Sequence, residues 1–197
     1  MIGRETYLKF VVAALALCFA PGAIALETPK AQLQGTMERV MAVTRTFHSE
    51  QDFTDNKARL KAIILPRFDF PEMARRSLGN HWTGLNGREK EFVAVFVQFA
   101  EASYMNALGS YRGEKMTYGR ERIDDNFAEV DTQVVNSSGE TPIIYRLHLI
   151  GDEWKVYDVV IDQVSVVSNY QSQFGRILKT ASIDELMRRL REKGKQG

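Results

Sequence analysis

Apolar and polar residues alternate most clearly from Ile143 to Ile161. Ile143, Tyr145, Leu147 and Leu149 interleave with Ile144, Arg146, His148 and Ile150, the period of two that a two-faced strand requires. Gly151-Asp152 supplies the positive φ of a tight reversal. Trp154, Val156, Asp158 and Val160 then alternate with Lys155, Tyr157, Val159 and Ile161, which places the first four, Asp158 included, on one face. The pattern predicts four strands: Lys115 to Arg122, Phe127 to Val135, Pro142 to Ile150 and Glu153 to Ile161. Asp124-Asp125-Asn126 and Asn136-Ser-Ser-Gly139 mark the other reversals, and connections this short make an antiparallel meander. Glu129, Asp131 and Gln133 turn one face of the second strand to water, while Val130 and Val134 turn inward.

Elsewhere the period lengthens to that of a helix. Thr28 to Phe47 carries Leu33, Met37, Val40, Thr44 and Phe47 on one stripe behind Pro29. Ser49 to Asn56 reads as polar linker, and Lys57 to Leu65 as a short helix stopped by Pro66. Asp69 opens a helix that Gly79 closes. The longest helix starts at Asn86-Gly-Arg-Glu89 and runs to about Tyr111, with Phe92, Phe96, Phe99, Tyr104 and Leu108 giving a wide apolar surface. Ser168 starts a helix carrying Tyr170, Phe174 and Ile177. Ser182-Ile-Asp-Glu185 caps a last one with Leu186, Met187 and Leu190. Helices, then strands, then helices predict an α+β domain: a four-stranded antiparallel curved sheet with helices packed on one face.

Met1 to Ala25 reads as a secretory signal peptide, leaving 26–197 as a single domain. Arg4 and Lys9 precede an apolar run from Phe10 to Ala20, Pro21-Gly22 breaks it, and Ala23-Ile24-Ala25 offers a cleavage site. The run is too short to cross a bilayer, which takes about 20 residues. Cleavage removes Cys18, the single cysteine, and with it disulfides, thiol catalysis and cysteine-bound metals. The 26 basic and 25 acidic residues nearly cancel, which argues against a nucleic-acid partner.

Trp-Lys-Val-Tyr-Asp-Val-Val-Ile from Trp154, then Ser165-Val166, then Asn169-Tyr170 and Ser172-Gln173-Phe174 resembles the C-terminal half of the MlaC (toluene-tolerance) family of periplasmic phospholipid-binding proteins. Leu65-Pro66-Arg67-Phe68-Asp69-Phe70, Met73-Ala74, Leu78-Gly79 and His81-Trp82 form a second matching block, and Glu91-Phe92, Phe96, Tyr104 and Tyr111-Arg112-Gly113-Glu114 fit as well. The resemblance spans roughly Ile63 to Leu190. Its order and spacing are specific although each block is mostly core residues. Two departures are Gln171, where the family pattern has Arg, and Asp162-Gln163, where it has Glu-Gly.

Catalytic candidates are few. His48, His81 and His148 fall on separate elements, and His148 reads as solvent-facing beside Arg146. Asp158 reads either as a general base in a small cone-shaped enzyme cavity or as a buried structural acid. Each large apolar side chain, taken singly, reads as core, and the sequence leaves open whether the space between sheet and helices is a solid core, an enzyme pocket or a lipid cavity. Arg75, Arg76, Arg188 and Arg189 read as solvated helix faces or as docking points.

The resemblance implies the lipid cavity, formed by Phe68, Met73, Trp82, Phe92, Phe96, Phe99, Tyr104, Leu108, Val130, Val134, Tyr145, Leu147, Trp154, Val156, Tyr170, Phe174 and Ile177. It implies a periplasmic carrier without enzymatic activity or cofactor that shuttles phospholipid between the outer and inner membranes. The implied partners are an inner-membrane ABC transporter with an MCE-domain subunit and an outer-membrane lipoprotein–porin complex.

Overall fold

The helix starts follow from side chains that satisfy the backbone N–H groups a first turn leaves open. The structure, a computed structural model, describes residues 26–109, 114–136 and 139–195. The expected signal peptide lies outside them. The Thr28 hydroxyl accepts from Ala31 N at 3.2 Å and opens α1 (Pro29–Thr44). The Ser49 hydroxyl opens α2 (Glu50–Ile64), and Asp52 accepts in return from the His48 and Ser49 backbone at 2.8 Å each. Those bonds hold the Asp52 carboxyl below its ordinary pKa. The polar stretch from Ser49 is therefore a capped helix and not a linker.

Pro66 ends α2 in a single 3-10 turn, Leu65–Arg67. Asp69 caps α3 (Phe70–Leu78), and Gly79, at φ +56°, ends it. A second 3-10 stretch, Gly79–Leu85, leads to α4 (Glu89–Gly109). After the sheet come α5 (Val166–Leu178) and α6 (Ile183–Gly194). The cap of α5 is Ser165, whose hydroxyl accepts from Ser168 N at 3.0 Å, so this helix begins before the Ser168 start that the sequence suggests.

The sheet is antiparallel in the order β1 (Lys115–Asp124), β2 (Phe127–Asn136), β3 (Gly139–Ile150), β4 (Glu153–Ile161) and β5 (Val164–Ser165). It has five strands rather than the expected four. The added β5 pairs back on β4 after a reversal in which Asp162 and Gln163 take φ of +48° and +68°. Glycine adopts that region readily and other residues do so at a cost. Gln163 therefore carries strain that a glycine there would not.

A β-bulge interrupts the alternation of β4. Arg146 sits opposite Asp158 and Leu147 opposite Val156, so Tyr157 is the extra residue. Trp154 and Val156 consequently share a face with Leu147 and Leu149, and after the bulge Val159 and Ile161 join Tyr145 and Ile143 on that same face. Asp158 moves to the opposite face, away from Trp154 and Val156. There it accepts from Arg146 Nη1 at 3.2 Å, from the Ser165 hydroxyl at 2.7 Å and from Val167 N at 3.1 Å.

Three apolar clusters hold the elements together. Met73, Leu78, Phe92, Phe96, Phe174, Leu186 and Met187 unite α3 to α6. Leu33 and Met37 of α1 cover Ala128, Val130, Leu147, Trp154 and Val156 on the sheet. Val40 and Val43 meet Leu60 and Ile64 between α1 and α2. Phe68 packs against all three. A polar tie crosses the second cluster: Arg67 Nη1 donates to Gln32 Oε1 (2.8 Å) and to the Trp154 carbonyl (2.7 Å), and Gln32 Oε1 also accepts from Trp154 N (2.9 Å).

Asp158 joins β3, β4 and the first turn of α5 through one carboxylate that is 5% exposed. Asp158→Ala is expected to cost about 3 kcal/mol, because it leaves buried donors and an arginine unpaired. Urea unfolding measures this, and an unchanged midpoint would contradict the anchoring role.

Candidate functional site

Between the sheet and the helices lies an apolar pocket of about 350 Å³. That places it in the lower part of the usual small-molecule range, roughly 300–1,000 Å³. Its floor is Ile143 and Tyr145 of β3 with Val159 and Ile161 of β4, the residues that the bulge brings to one face. Ile64 and Leu65 close one side, Phe70 and Met73 another, and Ala100, Ser103, Val166 and Tyr170 the far wall. Lys61 and Glu101 line the pocket as well.

The local sequence explains this arrangement. Pro66 breaks the helix, Phe68 becomes extended, and Asp69 N donates to the Val156 carbonyl at 2.8 Å. The Phe68 ring is thus held against the sheet, and it stacks on Phe70 with centroids 5.7 Å apart. Tyr170 lies 5.1 Å from Phe99 and stacks on Phe174 at 5.8 Å. Burial pushes the Tyr170 phenol above its ordinary pKa, with a Ser103 hydrogen bond opposing. Its hydroxyl stays neutral at physiological pH.

Of the residues that the sequence nominates, Phe68, Met73, Tyr145 and Tyr170 line this pocket. Trp82, Phe92, Phe96, Phe99, Phe174 and Ile177 pack in the helical cluster instead. Val130, Leu147, Trp154 and Val156 belong to the cluster beneath α1, and Val134 is half-buried on β2 opposite Thr141. The Tyr104 and Leu108 side chains lie outside the described residues. Sequence reasoning missed Ile64, Leu65, Phe70, Ile143, Val159, Ile161 and Val166. One signal was available: Ile143 and Ile161 face each other across a hairpin with apolar residues on both sides of the strand.

A second pocket, polar and about 510 Å³, shares none of these residues. Arg75, Arg76, Arg146, Tyr157 and Gln171 are among its lining. Its arginines are engaged: Arg75 and Arg76 each meet Glu72 at 2.7 Å, and Arg146 meets Glu129 at 3.0 Å. Arg76 also sits 4.2 Å above the Tyr157 ring. Arg188 and Arg189 likewise bind Glu185, each at 2.7 Å. His148 is not solvent-facing as expected. Its Nε2 lies 2.8 Å from Asp69 Oδ2, and its ring meets Phe127 and Tyr157. Asp158, with both oxygens bonded, holds structure together.

Arg122, hydrogen-bonded to Glu129, holds that carboxyl below its ordinary value of 4.5, with burial opposing and Arg146 reinforcing. A depressed carboxylate contributes stability above its unfolded pKa, and the contribution is lost as pH falls through the lower folded value. Glu129→Gln is therefore expected to be less stable than the parent chain at neutral pH, with the gap closing below about pH 4.5. Urea midpoints across that range check this, and a pH-independent gap would contradict it.

Among the described residues, no helix is long and apolar enough to cross a membrane. The family model described as MlaC protein matches residues 34–192. The intermembrane phospholipid transport system binding protein MlaC of Haemophilus influenzae is 24% identical over 200 residues, covering 97% of this chain and 92% of that protein. The toluene tolerance protein ttg2D of Pseudomonas putida is 24% identical over 157 residues, 77% of this chain and 73% of that one. A phospholipid-binding protein from Ralstonia solanacearum, solved in complex with a phospholipid, superposes with a TM-score of 0.74 at 23% identity, covering 86% of this chain and 98% of that chain. That last likeness is one of fold.

Proposed function

The chain belongs to the MlaC protein family, and from that membership we propose that it is a periplasmic phospholipid carrier whose acyl-chain site is the apolar pocket between β3, β4 and the helices. The pocket is the observation that carries the reading. Relatives named for phospholipid transport and phospholipid binding support it.

Exposing a two-tailed lipid to water costs about 25 kcal/mol, for on the order of 30 methylenes at ~0.8 kcal/mol each. A lipid therefore crosses an aqueous compartment only inside a shielding protein. At roughly one water's volume per methylene, about 30 Å³, both chains need about 900 Å³. The 350 Å³ pocket must then widen as lipid enters. Met73 and Tyr170 on its helical walls are the side chains to move, and the flexible thioether of Met73 suits that task.

The protein is exported through its Met1–Ala25 segment. It moves lipid between an outer-membrane lipoprotein–porin complex and an inner-membrane ABC transporter with an MCE-domain subunit, a route that maintains outer-membrane lipid asymmetry. The pocket only has to match what a bilayer offers the chains, so those partners set the direction. The role needs no cofactor and no nucleic acid.

Val159→Trp fills the pocket from its floor. It is expected to lower phospholipid recovered with the purified protein by roughly threefold or more. Leu147→Trp enlarges a side chain in the packed cluster under α1. It is expected to cost about 1–3 kcal/mol of stability while lipid per folded molecule is kept. Lipid extraction with phosphorus quantitation reads both, and a Val159→Trp protein as lipid-rich as the parent would refute the assignment.

A further inference from the structure

Most arginines among the described residues form an ion pair with a carboxylate, but Arg39 and Arg67 do not. Both converge instead on one neutral oxygen. The Thr36 hydroxyl accepts from Arg67 Nε at 3.1 Å and from Arg39 Nη2 at 3.3 Å, and it donates to the Gln32 carbonyl at 3.0 Å. Thr36 is fully buried, so α1 fixes that hydroxyl. Arg67 Nη1 is taken by Gln32 Oε1 and the Trp154 carbonyl. Its Nη2, and the Nε and Nη1 of Arg39, donate to nothing among the described residues.

Two guanidinium groups drawn to one hydroxyl repel each other. Burial lowers the Arg67 pKa, Glu153 opposes, Arg39 lowers it further and Glu27 opposes. Glu153 is itself held by Lys155, whose ammonium also donates to the Pro66 carbonyl at 2.7 Å. Arg39, Arg67 and Lys155 therefore face Glu27 and Glu153 with positive charge in excess.

We propose that Arg39 and Arg67 form a binding site for a phosphate-class oxyanion, outside the lipid pocket. A guanidinium fork matches two oxygens of one such anion, and charge-assisted bonds of this kind are the strong ones. The anion takes up the N–H groups left open and relieves the repulsion at the Thr36 hydroxyl. Arg67 is the preformed half, locked by the bonds that tie α1 to β4. Arg39, exposed on α1, is the half that swings onto the anion. Neither arginine lines the apolar pocket, and the inference does not depend on the carrier reading. The arginine-lined pocket is the weaker candidate, because Arg75, Arg76 and Arg146 each already hold a carboxylate.

Calorimetric titration of inorganic phosphate into the purified protein, at constant ionic strength and with chloride as the control anion, tests this. The parent chain is expected to bind a single phosphate with a Kd on the order of 1 mM, and chloride not measurably. Arg39→Gln is expected to bind roughly tenfold more weakly. Arg39→Lys falls between the two, because it keeps the charge and loses the fork. Arg75→Gln, in the other pocket, binds like the parent. Urea midpoints without phosphate check that the exposed Arg39 variants fold as the parent does.

A parent chain that binds no phosphate overturns the inference, and so does an Arg39→Gln protein that binds it equally well. Phosphate that displaces the phospholipid recovered with the protein would put the anion in the lipid's own site and overturn it too. Vesicles of phosphatidylglycerol separate the sources of the phosphate. Pelleting with them that Arg39→Gln abolishes assigns it to head groups at a bilayer surface, and Arg39-dependent phosphate binding without pelleting assigns it to a soluble phosphate.

Discussion

The bulge at Tyr157 is the constraint on which the pocket depends. Strict alternation would send Trp154 and Val156 to one face of β4 and Val159 and Ile161 to the other. One extra residue brings both pairs to the same face, beside Leu147 and Leu149 at one end and Tyr145 and Ile143 at the other. The first half packs under α1 and becomes solid core. Among the described residues, the second half is met by the ends of α2 and α5, by Leu65 and Phe68 and by the walls of α3 and α4, and the pocket lies there. The same step turns Asp158 outward to Ser165 and Val167, so the residue that fixes the bulge also fixes the start of α5.

The carrier reading needs two regions of opposite character in one core. The helical cluster is dense with aromatic contacts: Phe92 lies 6.4 Å from Phe96 and from Phe174, and Trp82 closes over Phe92. Packing of that sort supplies stability without disulfides. The pocket is the part left unfilled, and Phe68, held by the bridge from β4 to the residues before α3, stands where all three clusters meet it.

The sequence made much of this fold legible. Strand ends, the Gly151 reversal and the caps at Thr28, Asp69 and Ser182 follow from local chemistry. The Ser49–Asp52 capping box was equally local and was masked by the polarity of the residues after it. The bulge was not readable, because a register shift belongs to two strands and not to one. Nor could periodicity separate Phe96, buried in the helical cluster, from Tyr170, which lines the pocket. Both are aromatics at helical spacing, and only the tertiary arrangement tells a filled space from an open one.

The carrier reading stands or falls on whether the pocket holds lipid. Native mass spectrometry of the purified protein, followed by solvent extraction, measures that directly. The account predicts an added mass that extracts as phospholipid and returns the protein to the mass of the bare chain. A bare chain from the outset, with no uptake after incubation with phospholipid vesicles, would contradict it.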